Sequence, residues 1–500
     1  MRNLKTTICF LGLLIAGSAG AAVHYVPTDY PTIQAAIDAA SGGDSIVINP
    51  GTYSGPGNYS ISFKGKAITV QSTDPGDPYV VNTTVIDCQG SPSTRGFVFH
   101  SGETSDSKLT GLTITGGDNF LGGGIYCYNS SSPAISKCVI TANSAVFGGA
   151  VAVGNNNSQP TISACTITEN SAMVGGGAIY CIGSGPRFES CIIAGNFAPR
   201  GGAVYSHNPG NSIIANCTIT SNAASVWGGA FYCFASGNMD ISNCILWDNT
   251  ASSASEMMVG NVGAPASVSI SYCDIQGLSA GVVANSGSTV NWGQGNIDLD
   301  PMFVSGGQMD SITKVYTKGN YHLTEDSPCI DAGNPSFVAG TQIDIDGESR
   351  LSGAAVDIGA DEFAVVSTIN ADIKFRPRAL NLRSRGRWTL CTIKLDDGHD
   401  VRDIAVDSIK LNNEVKPSAA KAFRFSKKLF VMFNRAEVEN TLSDAQGSAL
   451  IVVTGNLGDG TVFEGQDTIK IVNGYCNMKN KTFGKLSKHF KQKCGKICKK

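Results

Sequence analysis

Six cysteines recur along the chain at spacings of 26 to 29 residues, and this period constrains the fold more than any other feature. They are Cys138, Cys165, Cys191, Cys217, Cys244 and Cys273. An asparagine stands five residues after each of the first five, at Asn143, Asn170, Asn196, Asn222 and Asn249. A fixed period of this length predicts a solenoid, in which each repeat is one structural unit stacked on the next.

The residues around each cysteine indicate strands. An apolar residue lies three positions before each cysteine, another lies two positions after it, and Gly, Asn and Ser interrupt the segments. Such short, β-branched runs are typical of strands and turns, whereas helical repeats need longer amphipathic segments. The sequence therefore predicts an all-β chain folded as a parallel β-helix. Its coils would stack at about 4.8 Å, so that like residues form ladders.

Each predicted ladder has a physical role. The apolar ladders face inward and form the core, and the glycine pairs form a tight corner where a Cβ would clash. The asparagines mark another corner, where the residue tolerates left-handed backbone and its amide bonds to a neighbouring coil. The cysteines pack inward as small apolar thiols. Disulfides between coils are the alternative, although in-register parallel neighbours rarely have the required torsion.

The repeat C-x-I-x-x-N-x-A followed by G-G-A-[IV]-Y resembles the repeats of secreted bacterial right-handed parallel β-helix proteins with the pectin-lyase-like fold. It is also similar to the repeats of polymorphic outer-membrane proteins, and the resemblance covers residues 24–363. A short amphipathic segment at 33–40 precedes Pro-Gly-Thr-Tyr at 50–53, which resembles the N-terminal capping helix of such proteins. Residues 277–363 resemble their closing segment, which implies that this part seals the C-terminal end of the solenoid.

Changes in composition divide the chain into four predicted parts. Residues 1–22 have a basic start, an apolar run and a small-residue cleavage site, which indicates a secretory signal peptide. Residues 23–366 are the β-helix with its caps. Beyond them glycine falls, charge rises and apolar residues alternate, which predicts an immunoglobulin-like β-sandwich over 367–473. Residues 474–500 form a basic tail with nine lysines.

The charge distribution argues against nucleic acid as a partner. The whole chain has a net charge of −3, but the part between the leader and the basic tail carries −14. The tail is predicted either to make peripheral contact with an anionic surface or to be a solvated segment. No apolar run after the leader is long enough to cross a bilayer. We therefore expect a secreted protein, extracellular or on the outer cell surface.

Four tyrosines provide a candidate binding surface. Tyr126, Tyr180, Tyr205 and Tyr232 each follow a glycine pair and an apolar residue, which is aliphatic for the first three and Phe231 for the last. Because successive strand residues face opposite sides, the tyrosines form an outward stripe if the aliphatic residues face the core. One interpretation is a platform that binds a polysaccharide or cell-surface glycan by ring stacking and hydroxyl hydrogen bonds. The other is a stack that only shields the sheet.

Three carboxylates in the closing segment are candidate metal ligands. Asp344 and Asp346 belong to a D-x-D-G string, and Asp357 follows shortly after. Together they could bind Ca²⁺, which takes several oxygen ligands, although the spacing of an EF-hand loop is absent. The alternative is that these residues form turns.

The regular coils contain few charged residues, and one group of them is a catalytic candidate. Arg187, Glu189 and Arg200 lie on one coil, and His207 lies on the following segment. They could serve a polysaccharide lyase or a glycoside hydrolase acting on a uronate-containing polysaccharide such as pectate. The Asp-rich groove of pectate lyases and the paired Asp and Gly-His-Gly signature of polygalacturonases are missing. The sequence therefore favours non-catalytic, adhesin-like glycan binding, with catalysis as the alternative.

Overall fold

The structure is a computed structural model, and it describes residues 20–472 except 155–156, 208–210, 236–237, 311–312, 337–341, 364–367, 383–385, 397, 423–426, 443–444, 446 and 459–460. Nearly all of the predicted signal peptide and the whole predicted basic tail lie outside the described residues. The contacts within the chain divide it into two compact units, one up to residue 365 and one beyond it.

The N-terminal unit is a parallel β-solenoid with four sheets that run along its length. Sheet A contains Val23–Val26, Ser45–Ile48, Thr69–Ser72, Lys108–Thr110, Ala134–Ser136, Thr161–Ser163, Arg187–Glu189, Ser212–Ala215, Asn238–Ser242, Ser267–Ser271 and Thr289–Trp292. Sheet B contains Gly51–Tyr53, Thr84–Asp87, Thr113–Thr115, Val139–Thr141, Thr166–Thr168, Ile192–Ala194, Thr218–Thr220, Ile245–Trp247 and Asp274–Ile275.

The other two sheets complete each coil. Sheet C contains Ile61–Ser62, Phe97–Phe99, Ile125–Cys127, Val151–Val153, Ile179–Ile182, Val204–His207, Phe231–Phe234, Met257–Val259 and Val282–Ala284. Sheet D contains Asp118–Leu121, Ser144–Phe147, Ser171–Gly175, Phe197–Arg200, Ala223–Trp227 and Thr250–Ser253. In the regular coils the chain passes through sheets A, B, D and C in that order, so residues about 26 apart lie above one another.

The predicted ladders are confirmed by the strand register. Ile135 pairs with Ile162, and Ile162 pairs with Phe188, with all three side chains in the core. The backbone N–H of Cys138 donates to Sγ of Cys165 over 3.4 Å, so the thiols of neighbouring coils also stack. The cysteines within the described residues are buried and free. The prediction of core thiols instead of disulfides is therefore confirmed for this part of the chain.

The asparagine ladder joins five successive coils between sheets B and D. Oδ1 of Asn196 accepts from the backbone N–H and the side-chain Nδ2 of Asn170, both over 3.0 Å. Nδ2 of Asn196 in turn donates to Oδ1 of Asn222 over 2.9 Å and to two backbone carbonyls. From Asn143 to Asn222, each amide therefore satisfies the corner of its own coil and bonds to both neighbouring coils, which explains why no other residue type replaces it there.

The predicted capping helix is also confirmed. It runs over Ile33–Ala39, and its N-cap Thr32 accepts a hydrogen bond from the backbone N–H of Ala35. Ile33, Ala36 and Ile37 are buried against the first coils. A second short helix, Pro78–Thr83, lies in the insertion before the strand at Thr84–Asp87 and is capped by Asp77. A 3₁₀ turn, Leu278–Ala280, precedes the last coil.

The prediction that residues 277–363 seal the C-terminal end is wrong for residues 299–363, which we call the cover segment. This segment lies along the outer face of sheet B and contains the antiparallel pairs Phe303–Ser305 with Asn320–Leu323 and Gln308–Met309 with Tyr316–Thr317. Ala360 packs on Ile192, and its backbone N–H donates to Oγ1 of Thr218 over 3.0 Å. Ile358 packs on Ile245. The physical reason is that Ile192 and Ile245 are apolar residues on the outer face and need burial.

The C-terminal unit is a mainly antiparallel, barrel-like sheet around its own core. Its strands are Thr368–Arg376, Ala379–Asn381, Trp388–Leu395, Lys410–Leu411, Pro417–Ala422, Leu429–Asn434, Ser448–Asn456 and Val462–Val472. Burial alternates along the long strands, as predicted for sheets with one buried face. A 3₁₀ turn, Val406–Ser408, and a helix, Arg435–Asn440, complete the unit, and Asn434 caps the helix as predicted. The immunoglobulin-like assignment stays a prediction.

Candidate functional site

The outer side of sheet C carries an extended cluster of aromatic side chains. In each strand the residue between two core side chains points outward, and Tyr180, Tyr205 and Tyr232 pair in register on consecutive coils. Aromatic and cationic side chains from the neighbouring strands join them. We call this surface the aromatic face, and its members are Arg95, His100, Tyr126, Tyr128, Phe147, Tyr180, Arg200, Tyr205, His207, Trp227, Tyr232 and Phe234.

The first half of the aromatic face is a stack of four side chains. The ring centroids of Tyr126 and Tyr128 are 4.6 Å apart, and those of Tyr128 and His100 are 5.6 Å apart. The guanidinium carbon of Arg95 lies 5.0 Å from the centroid of Tyr126. This distance is typical of a cation–π contact, which is strongest with a partly desolvated guanidinium. All four side chains are half-buried, so their edges remain open to a ligand.

The second half of the aromatic face is a longer cluster. Successive ring centroids are 4.7 Å apart for Phe147 and Tyr180, 5.4 Å for Tyr180 and Tyr205, and 5.0 Å for Tyr205 and Tyr232. Trp227 and His207 flank this row. The guanidinium of Arg200 lies 5.4 Å from the Trp227 ring, and the His207 ring lies 6.2 Å from that of Tyr205.

The four predicted tyrosines do not contribute equally. Tyr180 is 6% exposed and Tyr232 is 2% exposed, whereas Tyr126 and Tyr205 are half-buried. Neighbouring rings bury Tyr180 and Tyr232. The Tyr180 ring lies between those of Phe147 and Tyr205. The Tyr232 ring contacts those of Tyr205, Trp227 and Phe234. The buried tyrosines thus form the base of the aromatic face, and the others form its accessible part.

The sequence reasoning missed several members of this surface. Tyr128, His207 and Phe234 each stand two residues after a tyrosine of the stripe, and so lie on the same face of a strand. This period of two was the available signal. Arg95 and Trp227 reach the face from a loop and from sheet D, and no local pattern marks them.

The electrostatics of the aromatic face favour a negatively charged ligand. Among the described residues, no carboxylate lies within ion-pair distance of Arg95 or Arg200. Nη1 of Arg95 is buried and has no hydrogen-bond partner in that part of the chain. Burial lowers the pKa of His207, and burial raises the pKa of Tyr232 to about 12. At neutral pH the face therefore offers two guanidinium groups and phenol hydroxyls that remain protonated.

The four predicted catalytic residues do not form one site. Arg187 and Glu189 lie on sheet A, where they form an ion pair, and Nε2 of Gln342 donates to Glu189 over 3.2 Å. Arg200 lies on sheet D and His207 on sheet C, where both belong to the aromatic face. The reason is that consecutive segments of one coil belong to different sheets of the solenoid. The expectation of a single charged cluster is therefore corrected.

A groove on the outer side of sheet B is the second candidate site. It has a volume of about 450 Å³ and lies between the helix Pro78–Thr83 and the cover segment. Lys137 and Thr166 line it from the solenoid, and Tyr316, Lys318 and His322 line it from the cover segment. The groove thus combines cationic groups with a phenol and an imidazole.

The predicted Ca²⁺ ligands do not converge. Asp357 accepts the backbone N–H groups of Asp331 and Phe363, one on each oxygen, over 2.7 and 2.6 Å. Both oxygens of Asp344 also accept backbone N–H groups, those of Asp346 and Glu348 on Oδ1 among them. These two buried carboxylates have the contacts of turn residues.

Asp346 has a different environment from the other two. Its Oδ2 lies 2.9 Å from Nε2 of His322. His322, Asp346 and Asp361 each offer one ligand atom, and these atoms lie within 4.8 Å of one another. Sequence reasoning missed His322 and Asp361 because no motif connects residues so far apart in the chain.

None of the helices that the structure describes between residues 20 and 472 has the length and apolar character needed to cross a bilayer.

Comparison with known proteins agrees with the architecture. A family model described as right handed beta helix region matches residues 32–186 and 150–298, which together span more than half of the chain. No curated protein and no solved structure matches the chain. The matched residues include the in-register coils that carry the aromatic face. The chain therefore belongs to the right-handed β-helix family.

Proposed function

We propose that this protein binds an extended, anionic polysaccharide along the aromatic face and does not cleave it. Two arginines carry the proposal, because Arg95 and Arg200 lie against aromatic rings and form no ion pair with a carboxylate among the described residues. Aromatic rings present apolar surface to sugar rings, and phenol hydroxyls supply hydrogen bonds. Arginine recognises carboxylate and sulfate-like groups through paired N–H donors. The combination fits a polymer of acidic sugars.

The repetition of the aromatic face along the solenoid axis supports a polymeric ligand. Tyr180, Tyr205 and Tyr232 stand on consecutive coils, and Tyr126 and Tyr128 extend the same surface towards the N-terminal end. Tyr180 and Tyr232 form the buried base, so the rings open to a ligand are those of Tyr126, Tyr128, Tyr205, Trp227 and Phe234. They are spread over several coils that stack at about 4.8 Å. An extended chain of sugar units would contact several of them at once, and several weak contacts then add to a useful affinity.

A polysaccharide lyase or hydrolase is the alternative function. The dispersed positions of Arg187, Glu189, Arg200 and His207 argue against it, because acid–base catalysis needs its groups within reach of one bond. Incubation with anionic polysaccharides separates the two functions, since a lyase generates an unsaturated, ultraviolet-absorbing product and a hydrolase generates new reducing ends.

The binding proposal is tested by affinity electrophoresis through gels that contain acidic or neutral polysaccharides. We expect retardation in an acidic glycan, loss of it in Tyr128→Ala combined with Arg200→Gln, and weakening by salt. Tyr79→Ala is the matched control, because this tyrosine is 74% exposed and lies in the insertion outside the aromatic face. Equal retardation of the double variant and the parent would refute the proposal, and so would product formation.

We also propose that the protein acts outside the cell or on its surface. The composition of residues 1–22 supports export, and the second unit with the basic tail offers a means of attachment. Fractionation of producing cells tests this proposal. The full-length protein should be found in the medium or on the surface, deletion of residues 2–22 should retain it in the cytoplasm, and deletion of residues 367–500 should release it from the surface.

A further inference from the structure

We propose that His322, Asp346 and Asp361 bind a divalent transition-metal ion, such as Mn²⁺ or Zn²⁺, at the edge of the groove on sheet B. His322 lies in the strand Asn320–Leu323, and both Asp residues lie further along the cover segment. One ligand atom from each residue lies within 4.8 Å of the others. One imidazole nitrogen with two carboxylate oxygens is a ligand set that suits such ions.

The orientation of the His322 ring is the first argument. Its backbone N–H donates to Oδ1 of Asn320 over 3.2 Å, and this bond fixes which end of the Asn320 amide is the oxygen. The ring Nδ1 contacts the same oxygen, so Nδ1 carries a hydrogen. A metal-binding histidine typically donates its other ring N–H to an oxygen in this way, which holds the metal-binding nitrogen in position.

The other ring nitrogen then faces a negative charge. Nε2 of His322 lies 2.9 Å from Oδ2 of Asp346. Without a metal, a protonated ring donates from Nε2 to this carboxylate oxygen. A divalent cation would replace the Nε2 proton between the two atoms, and Nε2 and Oδ2 would then both be its ligands.

The environment of Asp361 is the second, independent argument. This residue is 6% exposed, and Oδ2 accepts the backbone N–H of Leu323 over 2.8 Å. Its Oδ1 has no hydrogen-bond donor among the described residues, and no Lys or Arg described in the structure forms an ion pair with it. The nearby Arg350 donates to the backbone carbonyl of Asp361 instead. A buried carboxylate oxygen without a donor is costly, and a bound cation at His322 and Asp361 would satisfy it.

The ligand set also discriminates between ions. Ca²⁺ prefers six or more oxygen ligands, whereas imidazole is a good ligand for Zn²⁺ and accepted by Mn²⁺. His322 and Asp346 line the groove, so the remaining coordination positions face its interior. An ion there keeps open positions for water or for an oxygen of a bound ligand.

The test is isothermal titration of the full-length protein with Mn²⁺, repeated with Zn²⁺ and Ca²⁺. We expect one Mn²⁺ per chain, and a loss of affinity of at least about tenfold in His322→Ala and in Asp346→Asn. Asp346 is exposed and His322 is half-buried, so both variants should keep the parent melting temperature without metal. His399→Ala is the matched control, because His399 and Asp396 form a similar pair at 3.2 Å for which the described residues supply no third ligand.

Two results would overturn the proposal. One is the absence of a Mn²⁺ or Zn²⁺ site, and the other is an affinity that His322→Ala and Asp346→Asn leave unchanged. The absorption spectrum of the Co²⁺-loaded protein adds a readout of ligand type. We expect the weak visible bands of a nitrogen and oxygen site, and an intense thiolate charge-transfer band would assign the ion to cysteines and contradict the proposed ligands.

Discussion

Nδ2 of Asn249 donates to Oε2 of Glu256 over 2.8 Å, so the asparagine ladder ends on a carboxyl group. Glu256 is completely buried, and its other oxygen has no partner among the described residues. Burial raises the pKa of Glu256 to about 8, and the hydrogen bond from Asn249 offsets only part of this effect. The last corner of the ladder therefore favours a protonated carboxyl group.

This arrangement predicts a pH-dependent stability that Glu256→Gln reduces. The folded state binds the Glu256 proton more tightly than the unfolded state, so the contribution is fully present below pH 4.5 and is lost as pH rises to about 8. The slope for one such group is about −1.4 kcal/mol per pH unit. The difference in the free energy of unfolding between the variant and the parent should therefore change with pH across this window. The stability of the variant should increase relative to that of the parent as pH rises. Urea unfolding at three pH values measures this difference.

Asp240→Asn is the control for this measurement, because Asp240 is an exposed acidic residue on sheet A, away from the corner that Glu256 occupies. The Glu256→Gln variant should keep part of the pH dependence of stability, because other carboxyl groups are buried too. Burial raises the pKa of Asp274 to about 7 and that of Asp361 to about 6. A parent and a Glu256→Gln variant with parallel profiles between pH 5 and pH 8 would show that Glu256 is not the group responsible.

Removing one amide from the middle of the ladder should destabilise the solenoid strongly. Asn196→Ala leaves two donors of Asn170 and the carbonyl oxygens of Ile167 and Ala194 without their partner. We expect a loss of about 3–5 kcal/mol in the free energy of unfolding, because several buried polar groups lose a bond together. Asn211→Ala, at an exposed position, should cost less than about 0.5 kcal/mol. Similar losses in both variants would contradict the ladder's importance.

A single methyl group should loosen the cover segment. A Cβ on Gly195 would lie 2.3 Å from Cγ of Tyr316, and the φ of Gly195 is +63°. Gly195→Ala should therefore displace Tyr316 and speed proteolysis within the cover segment. Gly263→Ala is the control, because its φ is +76° but nothing lies within 4 Å of the added Cβ. We expect the control to lose about 1 kcal/mol from backbone strain and to keep the parent cleavage rate.

The buried thiols should resist alkylation in the native protein. Burial raises the pKa of Cys88, Cys233 and Cys391 to about 12, and only the thiolate reacts quickly. Mass spectrometry after brief treatment with iodoacetamide at pH 8 should find the twelve described cysteines unmodified in the native state and modified in denaturant. Rapid native labelling of any cysteine of the core ladder would argue against the packed interior.

The solenoid was predictable because its information is periodic and local. Cys138 and Cys165 occupy the same position in consecutive repeats, so spacing alone placed them together. The capping helix was predictable for a similar reason, since its apolar face and its Thr32 cap lie within one short segment.

The position of the cover segment was not predictable from the sequence. Its contacts join Ala360 to Thr218 across 142 residues, without any repeat that relates the two segments. The same limitation applies to His322 and Asp361, which the fold of the cover segment brings together. The burial of Tyr180 depends on how sheet D lies beside sheet C, and strand alternation gives the direction of a side chain but not what covers it.

The cover segment also limits how this protein can evolve in length. Coils of a solenoid contact mainly their neighbours, so a whole repeat can in principle be duplicated or deleted without disturbing the rest. Here Ile192, Thr218 and Ile245 lie on three consecutive coils, and the cover segment contacts all three. Loss or gain of a repeat between these residues would shift the later contact residues relative to the cover segment. Changes in repeat number are therefore expected at the N-terminal coils, before the coils that the cover segment contacts.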